Sequence, residues 1–143
     1  MKIAIHTDGG ARGNPGPAAI GVILESPEIG KKEYGEYLGE ATNNEAEYKA
    51  VIFALKKTKS LVGSEKAALV DIEIFSDSEL LVRQMNGEYK LKDPSIQKFF
   101  VEIWNLKLDF KNVSFAHVFR EQNAGADNLV NQVLDRENSK LDI

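Results

Sequence analysis

The sequence predicts an α/β fold: a five-stranded mixed sheet, an antiparallel meander followed by parallel strands, with helices on its faces. Three observations carry this. The first forty residues hold three β-rich runs joined by short, turn-forming connections. From residue 44 the apolar period changes from two to 3.6, and strand and helix patterns then alternate, as βαβ crossovers do. The 143 residues fit one domain, 1–143, with no internal repeat or linker to divide it.

Residues 2–8 (KIAIHTD) alternate and are β-branched, so they read as a strand. Residues 9–17 (GGARGNPGP) read as a glycine- and proline-dense loop. Strands follow at 18–25 and 32–40, with a turn around Ser26, Pro27 and Gly30. Residues 44–60 form a helix whose apolar stripe holds Ala46, Ala50, Val51, Phe53, Ala54 and Leu55. A polar connection leads to a strand at 69–76 and a short helix at 78–86 ending near Gly87. Asp93-Pro94 opens a helix from about 95 to 107, in which Trp104 follows Ile96, Phe100 and Ile103 at core spacing. The last elements are a strand at 112–119 and a helix from Asn123 to Arg136, with a frayed tail at 137–143.

Composition bounds the function. A hydrophobic share of 43% argues against disorder, and no apolar run is long enough for a membrane span. The first residues lack the pattern of a signal peptide, and without cysteine there is no disulfide framework or thiolate metal site. These features make the cytoplasm the expected compartment; a monomer is the expected state. The net charge of −4 runs against binding nucleic acid by charge alone, although local patches can still steer a polyanion.

Four carboxylates stand out, each with an ordinary explanation beside it. Asp8 closes the first strand before Gly9-Gly10, where an Asp-Gly turn is the plain reading. Glu47 stands three residues after Asn44, as in a capping box, yet shares the helix face of Ala50, Val51 and Ala54. A carboxylate on that face needs a partner. Asp77 follows the apolar run Ile72–Phe75, where Ser76 or Asp77 would cap the next helix. It also lies at the carboxyl end of a parallel strand, where ligand sites gather. Asp127 lies on the inward face of the last helix, with Val130 and Leu134. Together these positions can converge, and clustered carboxylates repel unless cations lie between them. An all-oxygen donor set favours Mg²⁺ or Mn²⁺ over Zn²⁺.

Four blocks, TDGGARGNPGP at 7–17, TNNEAEY at 42–48, FSDSELLVRQ at 75–84 and REQNAGADNLVNQ at 120–132, resemble the ribonuclease H type 1 family. The likeness is to its compact archaeal and bacterial, reverse-transcriptase-like branch, and it covers nearly the whole chain in order and spacing. It implies the ribonuclease H-like fold and endonucleolytic cleavage of the RNA strand of RNA–DNA hybrids, leaving 5′-phosphate and 3′-hydroxyl ends. It further implies that Asp8, Glu47 and Asp77, completed by Asp127, hold two Mg²⁺ or Mn²⁺ ions. Such ions, about 4 Å apart, would activate a water and stabilise the leaving oxygen. RNA would be told from DNA by its 2′-hydroxyls. By the resemblance that reading falls to Gly9, Gly10, Ala11, Arg12, Asn14, Asn43 and Asn44, with Thr42 on a DNA-strand phosphate. Asn43 and Asn44 have capping as their ordinary role.

The chain also departs from better-known members. Their loop histidine before the last helix has no clear counterpart. His117 falls in a strand pattern and reads as a packed or surface-sheet residue. Arg120, at the strand end, is the better stand-in as a catalytic group, against an ordinary ion pair with Glu121 or Glu45. The lysine- and tryptophan-rich protrusion is absent. Arg83, Lys90, Lys92 and Lys98 form at most a reduced patch, a solvated helix face being the commoner reason for such charges. His6 reads as structural. Rival readings are a related nuclease of the same fold acting on double-stranded RNA or DNA, and a non-catalytic hybrid-binding module.

Overall fold

The computed structural model describes residues 1–141. Strands β1 (Lys2–Ala11), β2 (Gly16–Ser26) and β3 (Gly30–Ala41) form the meander, and α1 (Asn43–Val62) crosses back over it. A four-residue helix, α2 (Ser64–Ala67), leads to β4 (Asp71–Ser76). Helices α3 (Glu79–Met85) and α4 (Pro94–Lys107), β5 (Asn112–His117), a 3₁₀ turn (Arg120–Asn123) and α5 (Ala124–Leu141) complete the described residues. The sheet order is β3-β2-β1-β4-β5, antiparallel on the β1–β2–β3 side and parallel on the β1–β4–β5 side.

The two-residue alternation of the strands decides which side chains meet which layer. Ile3, Ile5, Ile72, Ile74, Val113 and Phe115 turn to one face and make the main core with Val51 and Leu55 of α1, Leu81 of α3 and Ile96 and Ile103 of α4. The opposite face carries α5, whose Val130, Val133 and Leu134 pack with Ala19 in a smaller core. Gly21 of β2 lets α5 come this close, because a Cβ there would overlap the carbonyl of Ala126. Among the described residues no helix is long and apolar enough to cross a membrane.

Several boundaries differ from expectation. β1 continues through Gly9 and Gly10 to Ala11, pairing with Ile20, Ala19 and Ala18, so the loop expected at 9–17 shrinks to 12–15. Glycines that suggest a turn here serve packing: a Cβ on Gly9 would overlap the backbone of Ala46 in α1. α2 lies within the expected polar connection, and β4 starts at Asp71 rather than Leu69. β5 stops at His117, so Val118 and Phe119, expected in the strand, lie outside it, and the 3₁₀ turn begins at Arg120. α5 runs five residues past Arg136 to Leu141, into the segment expected to fray, while residues 142 and 143 lie outside the described residues. Trp104 is 54% exposed, not core. Ile96, Phe99 and Ile103 set the buried face of α4, and the next residue is rotated about 100° towards solvent.

Candidate active site

Four elements bring the acids to one end of the sheet. Asp8 projects from β1, where the strand still pairs with β2 (Asp8 opposite Gly21), so its backbone is fixed on both sides of the residue. Asp77 follows the last paired residues of the β1–β4 ladder, Thr7 and Ser76. Glu47 sits on α1 beside Ala46, which Gly9 allows close to β1. Asp127 lies in the first turn of α5.

The competing capping roles fall to other side chains. The capping box of α1 is Thr42 with Glu45: Glu45 N–H donates to Thr42 Oγ1 at 3.1 Å, and Thr42 N–H donates to Glu45 Oε1 at 3.0 Å. The Asn44–Glu47 box is therefore not formed, and Glu47 is left to face inward. Ser78 caps α3 by accepting from Leu81 N–H at 3.2 Å, and Ser76 Oγ accepts from Ser78 N–H at 3.1 Å, so Asp77 is not consumed.

One carboxylate oxygen each of Asp8, Glu47 and Asp77 lie within 4.8 Å of one another. Asp8 is buried, and burial, then the charges of Asp77 and Asp127, push its carboxyl up to about 7. Burial and then Asp8 and Asp77 raise Glu47 well above the ordinary glutamate range. Asp77 is raised by burial, with Arg120 and His117 among the groups pulling it back. Glu47 Oε2 is buried and has no hydrogen-bond partner among the described residues. An orphaned carboxylate oxygen inside a mutually repelling triad fits a hard cation, which would satisfy the lone pairs and remove the repulsion together. Asp127 stands outside the tight triad but beside Asp8, and Arg120 reaches its Oδ1 at 3.7 Å. The ion pair of Arg120 is thus with Asp127, not with Glu121 or Glu45.

The triad floors an open cleft of about 730 Å³, lined by Gly9, Gly10, Ala11, Arg12, Asn43 and Asn44 on one side and by Leu80, His117, Phe119 and Arg120 on the other. Ala11 N–H donates to Asn43 Oδ1 at 2.8 Å, and Asn43 N–H donates to Asn14 Oδ1 at 3.0 Å. These bonds tie the end of β1 and the loop after it to α1: the Asn43 side chain braces the wall instead of capping the helix, and Asn14 satisfies the first amide of α1. Asn14 and Thr42 themselves are not in the lining. The guanidinium of Arg12 donates to Asp135 at 2.6 Å.

His117 is the exposed last residue of β5, the surface-sheet position of the two expected, and it lines the cleft. Arg83, Lys90, Lys92 and Lys98 are not in the cleft lining: Arg83 pairs with Glu79 at 2.8 Å and Glu88 at 3.0 Å, and Lys98 lies over Phe99, as suits a solvated helix face. His6 stacks on Phe75, with ring centroids 4.9 Å apart, and burial lowers its pKa. Phe119, Leu80 and Asn123 were not singled out by sequence. The alternation Phe115, His117, Phe119 held a signal for the first of them.

Comparison with known proteins agrees with this geometry. The reverse transcriptase-like family matches residues 6–133. The bifunctional protein Rv2228c of Mycobacterium tuberculosis is 37% identical over 94% of this chain, which spans 36% of that protein's length. Ribonuclease HI of Halobacterium salinarum is 38% identical over 94% of this chain and 65% of its own. Among solved structures, LC11-RNase H1 in complex with an RNA/DNA hybrid superposes with a TM-score of 0.88 at 44% identity, over 94% of this chain and 98% of that one. The RNase H1 of Halobacterium salinarum superposes with 0.86 at 38% identity, over 95% and 99%. An α/β sheet of this order, an acidic triad at one end of it, a family match over most of the chain and solved RNase H1 chains covered over nearly their whole length converge: the chain belongs to the reverse transcriptase-like family, as a ribonuclease H type 1 homologue.

Proposed function

We propose that this protein is a metal-dependent endonuclease that hydrolyses the RNA strand of RNA–DNA hybrids, leaving 5′-phosphate and 3′-hydroxyl ends. The observation that carries the reading is the Asp8–Glu47–Asp77 cluster with its unpartnered buried oxygen, set in a cleft long enough to expose backbone and amide groups beside it. The hybrid bound by LC11-RNase H1, a similar protein, supports the substrate class.

Asp8, Glu47 and Asp77 would hold Mg²⁺ or Mn²⁺, with Asp127 completing a second ion's site. When bound, such ions supply an activated water and stabilise the charge on the leaving 3′ oxygen. The protein's own groups do the positioning. Asn43, its oxygen held by Ala11, lines the cleft with Asn44. Such amides can read a 2′-hydroxyl, the group that separates RNA from DNA. Gly9, Gly10 and Ala11 keep this wall free of bulk. Arg12 is available for a phosphate on exchanging Asp135, and Asn14 and Thr42 support the wall from behind. Arg120, exposed and close to Asp127, is placed to approach a phosphate oxygen. The retention of all four carboxylates favours catalysis over a binding-only module. A cytoplasmic monomer completes the reading.

The test is a cleavage assay on labelled hybrid, double-stranded RNA and DNA duplexes with titrated Mg²⁺ or Mn²⁺ and product ends identified. Hybrid cleavage within the RNA strand that chelator abolishes is the expected result. Cutting of DNA without cutting of hybrid overturns the reading, and cutting of double-stranded RNA widens it.

A further inference from the structure

The two walls of the cleft differ in kind. One offers amides and close backbone; the other, on the Asp77 side, offers exposed hydrocarbon. We propose that Phe119, backed by His117 in the cleft that Leu80 also lines, is a nucleotide-contacting platform that packs against a nucleotide of the cleaved strand next to the scissile phosphate. The inference rests on the hybrid-cleavage reading above.

Phe119 is 70% exposed and Leu80 44%, and both line the cleft that holds the acids. Scattered exposed apolar side chains need no explanation. Two that line the same concave, acid-floored cleft are placed for cover by a ligand, since apolar area leaving water is favourable in proportion to its size.

Phe119 is also held firmly. Its N–H donates to Gln122 Oε1 at 3.0 Å, and its carbonyl accepts from Gln122 N–H at 2.9 Å. One residue earlier, Val118 N–H donates to the carbonyl of Ser76 at 3.0 Å, which fixes this stretch beside Asp77. The ring meets His117 edge-on, centroids 5.8 Å apart and planes at 73°. An exposed aromatic ring whose backbone is already ordered loses little freedom on binding. With the phosphate over the carboxylates, the sugar and base edge of an adjoining nucleotide would meet the ring, a contact that tolerates any sequence.

Phe119→Ala should raise KM for a short hybrid about tenfold, the scale of one lost aromatic contact. Neither kcat nor the divalent-ion concentration for half-maximal rate should move more than about twofold, because the contact does not touch the acids. Phe119→Trp should keep the wild-type KM. Since Trp104 is the chain's single tryptophan, combining Phe119→Trp with Trp104→Phe gives one indole at the platform. Its emission should change on adding hybrid and stay constant with inorganic phosphate. An unchanged KM in Phe119→Ala, with wild type cutting hybrid, overturns this inference alone. An indole emission indifferent to bound hybrid does the same. Wild-type protein that fails to cut hybrid overturns both the functional reading and the platform.

Discussion

Asn123, almost fully buried ahead of α5, donates its side-chain amide to the carbonyl oxygen of Thr7 at 2.8 Å, one residue before Asp8. The β1–β4 ladder ends at Thr7 and Ser76, so the strands stop pairing where the two acids begin. Ser78 N–H turns to Ser76 Oγ, and the Asn123 amide takes the Thr7 carbonyl. The same bond ties the segment carrying Arg120 and Asp127 to the strand carrying Asp8.

Asn123→Ala should therefore lower both stability and cleavage. Loss of the amide strands a buried carbonyl, an effect of about 1–3 kcal/mol that urea unfolding would resolve. Cleavage should fall with a rise in the divalent-ion requirement, because Asp127 loses its tether to Asp8. A variant of wild-type stability would show that the bond carries no weight.

Gly9 and Gly10 should respond oppositely to alanine. At Gly9 the new Cβ overlaps backbone of α1, whereas at Gly10 the nearest atom is Val130 Cγ1 at 3.4 Å. Backbone cannot move aside as a side chain does, so Gly9→Ala should cost at least about 3 kcal/mol, at the upper end for overpacking. Gly10→Ala should stay within about 1 kcal/mol. Paired denaturation curves compare them directly.

Asp8→Asn and Asp77→Asn should each lower hybrid cleavage by more than about a hundredfold, since even indirect supports of a metal site are worth 10–100-fold. Asp127→Asn should cost less and chiefly raise the divalent-ion concentration for half-maximal rate. Circular dichroism should show all three folded, which separates lost chemistry from lost structure.

The metal-free protein should lose stability as pH rises from about 4 to 7. The Asp8 carboxyl is raised from 3.8 to about 7 in the fold, by burial first and then by Asp77 and Asp127. Across that window the folded state holds more protons than the unfolded one, so unfolding free energy falls with increasing pH. Asp8→Asn should flatten the slope, and Mg²⁺ should restore stability at pH 8. Thermal unfolding with and without Mg²⁺ measures all of this, and a metal-free protein more stable at pH 7 than at pH 5 would contradict the assignment.

Thr42→Ala removes the hydroxyl that accepts Glu45 N–H and should destabilise α1 by about 1 kcal/mol. If the cap is its whole role, KM for hybrid stays unchanged. A KM increase beyond the stability effect would instead support contact with a DNA-strand phosphate.

Local periodicity and composition were enough to determine the order of the strands and longer helices, the mixed sheet and the four acids as candidates, because alternation in β1 and the stripe on α1 record which side chains leave water. The motif blocks narrowed those acids to one chemistry. Tertiary structure decided what local pattern could not. The glycines after Asp8 look like a turn in isolation, yet packing against Ala46 and pairing with β2 keep them in the strand. Thr42 and Ser78, not Asn44 and Asp77, cap their helices, and only the folded chain reveals which acids are thereby left free. Trp104 follows core spacing but ends exposed by a single helical step, and Phe119, within the expected strand, ends exposed because β5 stops at His117. The buried Asn123–Thr7 bond joins residues 116 apart in sequence, a distance over which no local pattern carries information.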